Sequence, residues 1–202
     1  MPDLKGTKTI HNLMKAFAGE SQARNRYAMF AGVAANEGYS QIERIFLETA
    51  DNERVHANVF YEHIVKSLGR NNCISVNVNA DYPVVLGDTL TNLKAAAAGE
   101  HEESSVVYIA FADEAEKEGF PEIAFHFRKV AEIETQHEKR YLKLAADVEK
   151  ETFFKKNAPE ERVCAKWVCA KCGYVHNNAS APAMCPVCDH PQGYFSIYAT
   201  NY

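Results

Sequence analysis

The 202-residue sequence has no apolar run approaching the length needed to cross a bilayer, and no apolar stretch follows the charges of its Met-Pro-Asp-Leu-Lys-Gly start. Membrane insertion and secretion are therefore not expected. A basic excess is also missing: 22 Lys and Arg stand against 27 Asp and Glu, the net charge is -5, and the basic residues are dispersed among acids. A phosphate backbone would find no complementary face, which excludes nucleic acid as a partner. No Gly-rich dinucleotide fingerprint occurs, so any nicotinamide chemistry belongs to another protein. The six cysteines do not form the framework of a secreted miniprotein. Four have metal spacing, while Cys73 and Cys164 lie in unrelated segments and read as ordinary thiols. The expected compartment is a reducing cytoplasm.

What is present is a 47% hydrophobic chain with enough apolar content for a buried core. From about Thr7 to Glu37, Leu13, Phe17, Tyr27 and Ala31 recur at helical spacing, and Gly38 stops the run. Ser40-Gln-Ile-Glu43 has the form of a capping box opening a second helix, with Ile42, Phe46, Phe60 and Ile64 on one face as far as Leu68-Gly69. Arg70 to Gly87 reads as extended and irregular. A third helix is expected from Asp88 or Thr89 to Gly119, and a fourth from Pro121 to about Lys150. Two antiparallel hairpins joined by a long crossover make a mainly α four-helix bundle over residues 1–150. Residues 151–162 read as a linker, and 163–202 as a small separate domain.

The inner stripes of these helices contain acids and histidines where apolar residues belong. Glu20 is on helix one, Glu53-Arg-Val-His56 on helix two, Glu100-His-Glu-Glu103 on helix three and Glu134-Thr-Gln-His137 on helix four. A Glu and a His three apart project to one side of a helix, so each Glu-x-x-His offers an oxygen and a nitrogen to one centre. Glu20 to Glu53 is 33 residues and Glu100 to Glu134 is 34, which points to a duplicated hairpin. One Glu from each of two helices and Glu-x-x-His from each of the others is a known ligand set of di-iron and di-manganese carboxylate bundles. Unpaired, so many carboxylates buried together would suffer desolvation and mutual repulsion; two divalent cations relieve both. His11, His63, His101, His126, His176 and His190 match no ligand pattern and read as surface or packing residues.

In the last forty residues, Cys169-Ala-Lys-Cys172-Gly-Tyr is followed by Cys185-Pro-Val-Cys188, a spacing that brings four thiolates round one tetrahedral metal. Spacing alone fits zinc and iron equally. Trp167, Tyr174 and Phe195 read as the small core of this domain, which has little to bury and depends on metal for folding.

Taken in this order, the motifs resemble rubrerythrin, the non-haem iron peroxidase of anaerobes and other air-sensitive organisms. The resemblance spans nearly the whole chain and implies a ferritin-like di-iron bundle followed by a rubredoxin-like four-cysteine iron domain. It implies two non-haem irons at Glu20, Glu53, His56, Glu100, Glu103, Glu134 and His137, with Glu53 and Glu134 bridging. One further iron belongs at Cys169, Cys172, Cys185 and Cys188, with zinc an admissible substitute in recombinant material. Glu103 is the surplus acid. In the family, one iron moves between the matching Glu when oxidised and the residue matching His56 when reduced. Tyr27 and Tyr108 are similar to family tyrosines that hydrogen-bond ligand carboxylates. The implied reaction is reduction of hydrogen peroxide to water, protecting against oxidative stress. Its electrons come from a rubredoxin or a flavoprotein NAD(P)H oxidoreductase through the four-cysteine site. A head-to-tail homodimer is implied as well. The alternative reading is a ferritin-like iron-binding or storage protein.

Overall fold

The structure is a computed structural model that describes residues 3–155 and 166–198. Its helices are α1 (Lys8–Asn36), α2 (Ser40–Leu68), α3 (Thr89–Glu102), α4 (Tyr108–Lys117) and α5 (Pro121–Glu149). The third rod of the bundle is not the single helix its sequence suggests: a π-helical turn, Glu103–Val107, lies between α3 and α4. Two hairpins, α1–α2 and α3–α5, close on each other within one chain.

Both hairpins turn in the same way. Gly38 (φ 83) and Gly119 (φ 86) adopt the left-handed conformation that side chains with a Cβ resist. The amides of the residues after them, Tyr39 and Phe120, donate back to the carbonyls of Ala34 and Ala115 at 2.8 Å. These are paired Schellman motifs. The turn is so short that Ser40 is already the first residue of α2 and Tyr39 is its cap, with no side-chain hydrogen bond. The expected Ser40–Glu43 capping box is therefore not formed. Thr7 and Asp88 do cap their helices, accepting from the amides of Ile10 at 3.2 Å and Thr91 at 2.7 Å.

The hairpins also cap each other. The Glu118 carboxylate, just past α4, accepts from the amides of Lys8 at 3.0 Å and Thr9 at 2.8 Å at the start of α1. Glu37, just past α1, accepts from the Thr89 amide at the start of α3 at 2.9 Å. Negative charge at these helix N-termini is favourable.

The π turn accounts for the mismatch between the two hairpin spacings. Leu13 and Leu93, Gly19 and Gly99, and Glu20 and Glu100 are each 80 residues apart. From Tyr27 and Tyr108 onward, through Gly38 and Gly119 to Glu53 and Glu134, the offset is 81. The second hairpin thus carries one extra residue relative to the first, and the helix absorbs it as a wide turn.

Two apolar clusters fill the bundle. One includes Leu13, Phe60, Tyr108 and Phe127, the other Phe30, Phe46, Leu93 and Tyr141. The polar residues of the inner stripes lie between these two plugs. Residues 70–87 cross the bundle without regular structure, tied down where the Tyr82 hydroxyl donates to the Lys15 carbonyl at 3.1 Å.

The C-terminal domain is a three-stranded antiparallel sheet of order β2-β1-β3, with β1 Lys166–Cys169, β2 Val175–Asn177 and β3 Phe195–Ile197. Trp167, Cys169, Ala181, Cys185 and Phe195 form its core, with Tyr174 packed against them. This domain rests on the α1–α2 turn. Gly193 approaches Gly38 so closely that a Cβ on Gly193 would lie 1.8 Å from the Gly38 carbonyl oxygen. Residues 151–155 are packed: Phe153 is buried, Phe154 stacks on Tyr39 at 5.7 Å, and Lys155 bridges to Ser180. The rest of the 151–162 segment, and Cys164, lie outside the described residues. Among the described residues no helix is long and apolar enough to cross a membrane.

Candidate metal centres

Six of the side chains singled out in the bundle meet at its centre in two overlapping groups. Glu20, Glu53, His56 and Glu134 have donor atoms within 4.8 Å of one another, and so do Glu53, Glu100, Glu134 and His137. Glu53 and Glu134 belong to both and divide their oxygens between them. His56 Nδ1 lies 2.8 Å from Glu53 Oε2 and 2.9 Å from Glu134 Oε1. His137 Nδ1 lies 3.3 Å from Glu53 Oε1 and 2.8 Å from Glu134 Oε2. Glu20 and Glu100 stand at the outer sides, 3.9 Å and 3.8 Å from their respective imidazoles.

These groups are at hydrogen-bond distance without hydrogen-bond geometry. Glu20 Oε2, both oxygens of Glu53 and of Glu134, Glu100 Oε2 and the Nδ1 atoms of His56 and His137 are all buried without a hydrogen-bond partner. Buried polar atoms left unpaired in this way are costly, and so many around one point mark the donor set of cations. Oxygen and imidazole donors of this kind suit iron or manganese.

The protonation equilibria report the same crowding. Burial, then the charges of Glu134, Glu103 and Glu53, hold Glu20 well above the usual carboxylate range. Burial pushes Glu100 up to about 8, against the pull of the neighbouring His137. Burial opposes protonation of the two imidazoles, but the facing carboxylates prevail, raising His56 to about 9 and His137 to about 12.

Tyr27 and Tyr108 cross between the hairpins. The Tyr27 hydroxyl, on α1, donates to Glu100 Oε1 at 2.6 Å, and the Tyr108 hydroxyl, on α4, donates to Glu20 Oε1. Burial raises both phenols well above their usual range, so they remain donors. Each outer carboxylate is thus held by the opposite hairpin.

Glu103 stands apart from both four-residue groups. It opens the π turn, is only partly buried, and is raised by burial and by Glu100, Glu134 and Glu53. Its register counterpart in the first hairpin is Ala23, so the extra carboxylate and the extra residue occur together. Glu103 lines a cavity of about 250 Å³ with Gly19, Arg26, Tyr82 and Tyr108. Sequence reasoning missed Arg26 and Tyr82. Arg26 is buried, its positive charge opposes the raising of Glu103, and it leaves Nη1 unpaired. A buried Arg on an inner helical stripe was the available signal.

His126, three turns before His137, does not approach this centre. Its Nδ1 lies 2.8 Å from His63 Nε2 instead, so two histidines set aside as unrelated are neighbours.

In the C-terminal domain the sulfurs of Cys169 and Cys188 are 3.8 Å apart and those of Cys172 and Cys185 3.6 Å, all four within 4.8 Å. A tetrahedron with metal–sulfur arms of about 2.3 Å has edges of about 3.8 Å, so the four thiols fit one ion. Burial opposes ionisation of Cys185, but the amides of Val187 and Cys188 outweigh it and bring the thiol down to about 7. Cys188 is pushed up to about 12 by burial and by its sulfur neighbours.

The family model described as Rubrerythrin matches residues 11–145, and that described as Rubrerythrin, rubredoxin-like domain matches residues 167–196. The rubrerythrin of Clostridium perfringens (strain 13 / Type A) is 50% identical over the full length of both chains. That of Porphyromonas gingivalis is 46% identical over 98% of this chain and 94% of its own. A solved structure of nigerythrin in a mixed-valent state, 30% identical, covers 97% of this chain and 92% of its own with a TM-score of 0.60. A bacterioferritin of Desulfovibrio desulfuricans shares the fold at 21% identity and a TM-score of 0.63, over 71% of this chain and 81% of its own.

Proposed function

This chain belongs to the rubrerythrin family, with its di-iron site and rubredoxin-like four-cysteine site, and on that footing we propose that it reduces hydrogen peroxide to water in defence against oxidative stress. The observation that carries this reading is the fusion, in one chain, of two donor groups sharing Glu53 and Glu134 with a four-thiol site. Glu20, Glu53, His56, Glu100, Glu134 and His137 would hold the two non-haem irons, and Cys169, Cys172, Cys185 and Cys188 would hold the third. Iron so bound supplies two electrons to each peroxide at the paired site and carries electrons one at a time at the thiolate site. With two protons, each peroxide yields two waters.

The remaining work belongs to the protein. Tyr27 and Tyr108 fix the outer carboxylates in orientation. The cavity at Glu103 admits a molecule as small as peroxide, and Arg26 balances the Glu103 charge there. Glu103 and His56 are the exchangeable donors. His56 lies inside its donor group and Glu103 outside both, so an exchange would require Glu103 to move in from the cavity wall.

Electrons enter from a cytoplasmic rubredoxin or flavoprotein NAD(P)H oxidoreductase. His137 is thirteen residues from Lys150, about 20 Å along the helix axis. The C-terminal domain sits at that same end of its own bundle, beside the α1–α2 turn. A head-to-tail homodimer shortens the path by bringing each domain to the partner's di-iron centre. The storage alternative is supported only by a likeness of fold to bacterioferritin, and a four-thiolate tail has no part in storage.

The test is anaerobic reduction of the iron-loaded protein, then one equivalent of hydrogen peroxide or of oxygen. Peroxide is expected to reoxidise both chromophores much faster than oxygen. Equal rates would overturn the reading.

A further inference from the structure

We infer that His63, Glu122 and His126 form a third metal site, for a single divalent first-row cation such as Zn²⁺ or Fe²⁺, separate from the two centres above. Donor atoms of all three lie within 4.8 Å of one another. His63 is buried on α2, His126 is partly buried on α5, and Glu122 is exposed one turn before His126 on the same face. The set is two imidazoles and one carboxylate, with Glu122 on the solvent side of the two histidines. Such His₂-carboxylate faces are established binders of zinc and ferrous iron.

Three observations support the assignment. His63 Nε2 and His126 Nδ1 face each other at 2.8 Å. A tetrahedral ion needs about 3.3 Å between two such nitrogens, so a side-chain shift of roughly half an ångström admits it. Burial, the neighbouring His126 and Lys66 lower the affinity of His63 for a proton, which leaves its lone pair available. Glu122 opposes that lowering and would offset Lys66 toward a cation. The third observation comes from the duplication. At the 81-residue offset, His63 corresponds to Leu144, His126 to Ile45 and Glu122 to Gln41. The other end of the bundle packs Leu144 and Ile45 at these positions, so the scaffold does not require histidine there.

The site is not an extension of the di-iron centre. His63 is seven residues past His56, about 10 Å along α2. Phe60 intervenes, stacked on Phe127 at 4.9 Å.

The experiment is calorimetric titration of the full, iron-loaded protein with Zn²⁺, with metal counted per chain after desalting. Wild type is expected to bind one more zinc than His126→Asn, and Glu122→Gln is expected to bind it about tenfold more weakly. The double variant His63→Leu/His126→Ile copies the opposite half of the bundle and should fold, keep its irons and lose the additional zinc. Equal zinc uptake by wild type and the double variant would overturn the proposal. So would undiminished affinity in Glu122→Gln, which would remove the carboxylate from the set.

Discussion

At the scale of single residues, the centre depends on side chains that do not themselves reach the cation positions. Tyr27 and Tyr108 each fix an outer carboxylate that belongs to the opposite hairpin. Replacing either with Phe leaves one buried carboxylate oxygen without its donor and changes little else. Partners of metal ligands typically matter by about 10- to 100-fold in affinity or activity. We expect Tyr27→Phe and Tyr108→Phe to keep a full complement of iron but to lose peroxide turnover within that range. Stopped-flow reoxidation with parallel iron analysis checks this, and wild-type rates in both variants would contradict it. The ligand types were legible in the sequence because Glu and His occupied positions where helical period demanded apolar residues. The tyrosine pairings were not, since Tyr27 and Glu100 lie 73 residues apart and which carboxylate each hydroxyl meets is decided only when the hairpins close. For the same reason His63 and His126 read as two lone histidines, though their rings meet.

At the scale of elements, the π turn is the main departure from a symmetric duplication. An inserted residue has no signature in propensity, so the third rod read as one continuous helix. The only trace was a spacing of 34 in the second hairpin against 33 in the first. The first hairpin builds the same rod without the extra residue. Deleting Ser105 should therefore convert the turn to regular α-helix with helical content and iron binding preserved. It should also displace Glu103 from the cavity and slow reoxidation by peroxide by about tenfold or more, the size of effect seen when groups around a metal site are moved. Far-UV circular dichroism and stopped-flow reoxidation on the same sample decide this. The misread capping box has a simple cause: the Schellman turn at Gly38 brings the chain round one residue sooner than a Ser40 cap requires. A second element-scale expectation concerns the contact between Gly193 and Gly38. Gly193→Ala forces backbone apart at a site with no room for a methyl group, and overpacking of this kind costs about 1–3 kcal/mol. The C-terminal domain should keep its iron but undock, giving faster amide hydrogen exchange at the α1–α2 turn than in wild type.

For the molecule as a whole, the burial of so many acids links stability to metal and to pH. Glu100 and His56 are raised from ordinary values of 4.5 and 6.5 to about 8 and about 9. Groups raised in the folded state contribute stability that is complete below their ordinary values and lost as pH rises through the raised ones. Burial opposes ionisation of Glu134, but the adjacent His137 and His56 prevail and lower it, so it acts in the opposite direction on acidification below its ordinary 4.5. Metal-free protein should therefore melt at a lower temperature at about pH 9 than at about pH 6, while iron-loaded protein loses most of this slope because cations replace the protons. Thermal melts of both forms across that range provide the check. The same whole-molecule view changes what the crossover at 70–87 means. Each hairpin completes the cap of the other's first helix, orients the other's outer carboxylate and supplies half of the shared donor groups. Cutting the chain in that irregular stretch, between Asn71 and Asn72, would leave two complementary fragments with every regular element intact. Co-expressed, they should be recovered together when iron is supplied and separately when it is withheld, which would make this protein a two-part kit closed by its own cofactor.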